Sequence, residues 1–329
     1  MTAVLTPKLP PAPALPRRWL GPVLAALAIA ALAPTLSPYL GDLVVKVMIL
    51  AIFALSLELL VGMTGLVSLG HAAFFGIGAY ATVLGSPEGG GNLAALMPLA
   101  MGSAAGYALF VGALSLRTKG VYFIMVTLAF AQMAYFVFHD TRFGGGSDGI
   151  YLYVRPRLGP LDLEQRLHLF YLVLAALAAT YGLLATLRRS RFGAALAGIR
   201  VNEQRMRAAG FPTYGYKLAA FVIAGALAGL AGFLVAARDG VVNPEMLSWH
   251  GSGEVLLMII LGGLGHLRGA VLGAVAFTLL KELLSTQALV GPLADHWQLT
   301  LGLAIIGFVA WLPKGLIGLA ARVSPKGGA

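Results

Sequence analysis

The residues best suited to chemistry in this chain are few, and they sit at breaks in apolar sequence. Gly62 to Gly70 reads GMTGLVSLG, and the stretch continues through His71 to Tyr80. Glycine permits backbone conformations that turn amides and carbonyls outward. A bilayer tolerates such groups only where protein or a watery cavity receives them. Gly65, Ser68, Gly70 and His71 are therefore candidates for lining a polar path. Close helix packing, with His71 hydrogen-bonded to a neighbouring helix, accounts for the same residues equally well. Thr127 and Gln132 fall within the apolar run Val121 to Phe138, where each suits a bond across helices or a path wall. Glu58 is an acid near the end of another run. Acids inside a membrane are functional candidates by default, although this one lies near the edge and within reach of water. Lys46, Lys281 and Glu282 are placed to snorkel.

The second candidate is basic. Arg188 to Lys217 carries Arg188, Arg189, Arg191, Arg200, Arg205, Arg207 and Lys217 against a single acid, Glu203. Ala194, Leu196, Ala197 and Ile199, then Met206, Ala208 and Ala209, recur at roughly helical spacing, and Gly210-Phe211-Pro212 closes the run. The pattern predicts one or two short amphipathic helices beneath a membrane. They serve either as an orientation-setting loop or as a docking surface for a soluble protein. Catalysis has no motif behind it. The chain lacks GxxxxGK[ST], HExxH and GxSxG, its histidines are scattered, and it has no cysteine, which excludes thiol chemistry and Cys-based zinc sites. No catalytic residue, metal site or bound cofactor is expected.

The elements that hold these residues are membrane spans. Of 329 residues, 59% are hydrophobic and 11% charged, against about 25% charged in soluble domains. Mean hydropathy is +0.85. The fold class is an all-α integral membrane protein. The net charge of +10 comes from basic residues interleaved between spans, so topology rather than nucleic acid explains it. Apolar runs fall at Trp19–Leu36, Leu43–Val61, onward past the glycine break to Leu84, Leu93–Leu116, Val121–Phe138, Leu167–Leu187, Leu218–Ala236, Val255–Leu264, Ala270–Leu284 and Leu299–Leu312. Val255–Leu264 is half the length of about 20 residues that a crossing needs, and reads as a tilted or broken helix. The expectation is a bundle of about eight to ten transmembrane helices with broken or re-entrant glycine-rich segments. A proline-rich cytoplasmic tail (1–18) precedes a single transmembrane domain (19–312), and a basic cytoplasmic tail (313–329) follows. Most of the 23 Lys and Arg residues fall on one side in this scheme, placing both termini and the 188–217 stretch in the cytoplasm. Leu69-Gly70-His71 and Leu264-Gly265-His266 form a faint repeat. Such paired breaks mark transport paths, and in so glycine-rich a chain chance produces them as well.

Gly65 to Tyr80 (GLVSLGHAAFFGIGAY), Lys119 to Gln132 (KGVYFIMVTLAFAQ), Gly144 to Gly149 (GGGSDG), the basic stretch and Leu261 to Gly265 (LGGLG) together resemble one family. It is the permease subunits of branched-chain amino acid ABC importers, of the M type, over most of the chain from about residue 40 to 315. The resemblance implies a multi-pass protein of the bacterial inner membrane, surrounded by lipid. It implies pairing with a second, H-type permease, two cytoplasmic ATPases that use ATP, and a periplasmic substrate-binding protein. The 188–217 stretch then corresponds to the coupling region, with Arg200, Asn202, Glu203, Ala208, Ala209 and Gly210 as ATPase-coupling residues. Glu58 stands where that family commonly has Asn, and Leu66 where it commonly has Gln, which bears on substrate range. Importers of urea or short-chain amides share the family and form the alternative cargo. A stand-alone ion-coupled transporter would need paired ionisable groups deep in the membrane. Glu58, His71 and Lys46 offer no clear pair.

Overall fold

A computed structural model describes residues 17–87, 90–159, 161–286, 291, 296–312 and 315–318. The expected proline-rich tail up to residue 16 and the basic tail beyond residue 318 lie outside the described residues.

Apolar sequence becomes helix here because a bilayer offers no partner for an unpaired amide or carbonyl. In order the helices are α1 Arg17–Leu32, α2 Pro38–Glu58, α3 His71–Leu84, α4 Leu93–Ser115, α5 Val121–Asp140, α6 Arg166–Arg189, α7 Arg191–Val201, α8 Glu203–Ala208, α9 Thr213–Asp239, α10 Trp249–Gly262, α11 Leu267–Ser285 and α12 Trp297–Trp311. Local chemistry sets several starts. The Ser37 side chain accepts from Leu40 N at the head of α2, with Pro38 next, and the Asn92 side chain accepts from Ala94 N at the head of α4. This cap moves the start of α2 five residues ahead of the Leu43 expected from hydropathy.

Among the described residues six segments are long and apolar enough to cross a membrane: Pro38–Thr64, α4, α5, α6, α9 and Trp297–Gly318. α10 and α11 meet at a 114° bend and raise the number to seven if counted as one span. α1 and α3 supply two shorter apolar helices. Together these account for every apolar run that the sequence marks. The short Val255–Leu264 run is the core of α10, which extends back to Trp249 and breaks at Gly263–His266.

The spans are not equivalent. Those of α2 and α9 are 78% and 67% buried, while α4, α5 and α6 are each 28% buried or less. Small residues let the central helices approach. Gly78 of α3 lies against the Gly229 backbone of α9, and Gly225 and Gly229 face Ala108 and Ala104 of α4. On the side opposite the basic stretch, Arg238 at the end of α9 grips Asp42 of α2 at 2.5 Å. Arg166 of α6 reaches Ser37 O at 3.4 Å on the same side. A small antiparallel ladder there joins β1 (Ile150–Tyr151) to β4 (Val241–Val242), and β2 (Arg157–Leu158) pairs with β3 (Leu161–Asp162).

Candidate functional site

The site is built where α2 ends. Its last turn, Leu59–Thr64, widens into a π-helix, a feature common at functional positions. Gly65 closes it with φ of 75°, a conformation natural to glycine. Leu66 N then donates to Leu60 O at 3.1 Å. Into this turn comes Arg200 from the end of α7. Its Nη1 donates to Gly62 O, and its aliphatic stem lies beside Gly65. Glu58 is only 2% exposed, and its carboxylate curls over Gly62. The backbones of Gly265 and His266 and the guanidinium groups of Arg188 and Arg200 lie within electrostatic reach of it. Its Oε2 has no hydrogen-bond partner among the described residues. Two glycine breaks far apart in sequence thus converge on Glu58 and Arg200. Hydropathy marks Glu58 as an edge acid and cannot show this convergence. The faint LGH repeat is its weak signal, although only the second copy, Gly265-His266, reaches Glu58.

Four of the expected path residues meet at the start of α3. Ser68 is fully buried, and its Oγ accepts from Gly70 N at 3.2 Å. Gly70 presses on the carbonyl of Thr127 in α5 so closely that no side chain fits. The buried Thr127 hydroxyl donates to Ile124 O at 2.9 Å. His71 is fully buried between Phe53, stacked at 5.5 Å, and Phe74, edge-on at 5.6 Å. Its Nε2 lies 2.8 Å from Ser56 Oγ, which donates its proton to Phe53 O at 2.7 Å. That pattern assigns the imidazole hydrogen to Nε2 and leaves Nδ1 as a buried acceptor with no partner among the described residues. Ser68, Gly70, His71 and Thr127 are packed shut in this conformation. Gly65 stands apart with Arg200. Gln132 lies further along α5, half-buried, with Oε1 lacking a partner among the described residues.

The basic stretch forms two helices. Ser190 caps α7 by accepting from Gly193 N, and Asn202 caps α8 by accepting from Arg205 N. α7 buries Leu196 and Ile199, while Ala194 and Ala197 turn outward. Glu203 fastens α8 to α9. Its Oε1 accepts from Lys217 Nζ at 2.9 Å, Arg207 Nη2 at 2.6 Å and Thr213 Oγ1 at 3.2 Å. Burial pushes the Glu203 carboxyl up, but Lys217 and Arg207 outweigh that and hold it below the ordinary 4.5. Gly210, with φ of 86°, ends the helix. The outer side is bare: Asn202, Ala208, Ala209 and Gly210 are exposed, and apolar Val201 is 87% exposed. Among the described residues no group of three or more His, Asp or Glu side chains is placed to hold a metal ion.

Residues 39–310 match the sequence family described as branched-chain amino acid transport system, permease component. The chain is 30% identical over 302 residues to the high-affinity branched-chain amino acid transport system permease protein LivM of Escherichia coli (strain K12), covering 84% of this chain and 69% of that protein. It is 31% identical to the protein of the same name from Salmonella typhimurium, over the same shares of each chain. No solved structure matches it.

Proposed function

We propose a function from the family to which this chain belongs, the permease components of branched-chain amino acid transport systems: it carries branched-chain or other hydrophobic amino acids inward by alternating access. Family membership and the apolar helices make it a multi-pass inner-membrane transport component. In the proposed assembly a second, H-type permease completes the path. Two cytoplasmic ATPases supply hydrolysis, and a periplasmic binding protein delivers substrate. The branched-chain amino acid transport named for the LivM relatives supports the cargo.

The contact of Arg200 with Gly62 O carries the mechanism. The bare outer side of α8, with Arg200, Asn202, Glu203, Ala208, Ala209 and Gly210 around it, is the proposed ATPase seat. From there two ties lead into the membrane. The Glu203–Lys217 pair holds α8 to the buried helix α9, and Arg200 holds α7 to the broken end of α2. A shift of α7 and α8 on ATP binding therefore pulls on both central helices, a packed two-element linkage of the kind that converts a local push into rocking. The proposed path runs along Gly65, Ser68, Gly70, His71, Thr127 and Gln132. Nδ1 of His71 and Oε1 of Gln132, acceptors without partners among the described residues, suit the ammonium of an amino acid once the path opens.

The test is Arg200→Ala in the reconstituted transporter. ATP-driven uptake of leucine, isoleucine and valine should fall at least tenfold while ATP hydrolysis continues, and urea should not be carried by the native assembly. Full uptake by Arg200→Ala would remove the linkage, and urea uptake in place of leucine would replace the cargo.

A further inference from the structure

One groove on the bundle is not closed by helix packing. α1, α6 and α11 enclose about 390 Å³ between them. Ile29, Leu177 and Leu272 make its walls aliphatic, Gly21 and Ala178 contribute small surfaces, and Arg268 is among its lining residues. Small residues ordinarily draw membrane helices into contact. At Gly21 the space is open instead, since a Cβ added there would meet nothing within 4 Å. α1 is moored near its far end, where Tyr171 O–H donates to Ala30 O at 3.3 Å.

The ends of the groove differ. Arg268 is the second residue of α11, directly after the break where Gly265 and His266 meet Glu58. α6 runs toward the same side and finishes in Arg188 and Arg189. That side carries the basic stretch and is cytoplasmic by the distribution of Lys and Arg. The groove is thus dry along its length and cationic where lipid phosphates lie. An outward-facing apolar groove in a bilayer fills with acyl chain. Enclosure by three helices together with a guanidinium at headgroup depth distinguishes a site from ordinary surrounding lipid. A guanidinium carries five donors, so one engaged with protein still has others for a phosphate.

We propose that the α1–α6–α11 groove binds a diacyl phospholipid with an anionic headgroup from the cytoplasmic leaflet, one acyl chain between Ile29, Leu177 and Leu272 and the phosphate at Arg268. The lipid packs α1 against the bundle where protein contacts do not.

The experiment titrates the delipidated full-length chain, in mild detergent, with dioleoylphosphatidylglycerol and separately with dioleoylphosphatidylcholine, reading bound lipid by native mass spectrometry. The native chain should favour phosphatidylglycerol at least fivefold. Arg268→Gln should weaken that lipid about fivefold, the worth of one basic residue at an anionic surface, and Arg268→Lys should restore most of it. Ala178→Trp, which fills the groove, should lose both lipids. Equal binding of the two lipids by the native chain would overturn the proposal, and this arm needs no variant to fold. So would native-like binding by both Arg268→Gln and Ala178→Trp. A photocrosslinker at position 178 that captures a protein subunit in native membranes, rather than lipid, would equally overturn it.

Discussion

Glu203→Gln removes the anionic anchor of α8, and its cost follows from the unequal burial of its partners. The Lys217 side chain is 5% exposed, that of Arg207 is 53% exposed, and that of Glu203 is 19% exposed. An exposed pair such as Glu203–Arg207 is worth about 0–1 kcal/mol. Taking the anion from a buried cation costs about 3–5 kcal/mol. Water reaching Glu203 offsets part of this, and a lost hydrogen bond to a charged group sets the expected cost at about 2 kcal/mol. Thermal unfolding of the purified chain at pH 7 should show a midpoint lowered by a few degrees. Adding Lys217→Met should recover most of the loss, because the double variant no longer buries an unpaired charge. The pH dependence has a fixed sign. The native carboxyl is held below the ordinary 4.5 by Lys217 and Arg207. Its contribution is therefore complete above 4.5 and disappears as pH falls through the lowered value. Native and variant midpoints should differ at pH 7 and draw together in acid. Coincident midpoints at pH 7, or a loss that Lys217→Met deepens instead of relieving, would refute this role of Glu203.

Gly78→Ala places a methyl group against the Gly229 backbone and should destabilise the α3–α9 contact by about 1–3 kcal/mol. Gly102→Ala, with nothing within 4 Å, should leave the unfolding midpoint unchanged or raised. His71→Ala loses the Ser56 hydrogen bond and both phenyl contacts, a cost of about 1–3 kcal/mol. Leucine uptake per folded molecule should also fall, and undiminished uptake per folded molecule would confine His71 to packing.

Much of this protein is written locally. The all-α membrane class follows from long apolar runs, and the expected orientation from where Lys and Arg accumulate. Ser37, Asn92, Ser190 and Asn202 mark helix starts because each side chain satisfies an amide within three residues of itself. The breaks at Gly65 and Gly263–His266 are likewise visible, since only glycine accepts the positive φ that Gly65, Gly263 and Gly265 adopt so readily. What the sequence does not decide is which helices lie inside. The α2, α4, α5, α6 and α9 spans are all apolar, because lipid and protein interior are equally greasy solvents, and hydropathy does not separate a helix that faces one from a helix that faces the other. Tertiary packing alone buries α2 and α9 and leaves α4, α5 and α6 at the rim. It alone turns Arg200, one basic residue among several in its stretch, into the partner of a carbonyl 138 residues away. It also brings the Gly265–His266 backbone within electrostatic reach of Glu58. Glycine breaks leave polar backbone groups without helical partners, and only the folded bundle settles which distant side chain meets them.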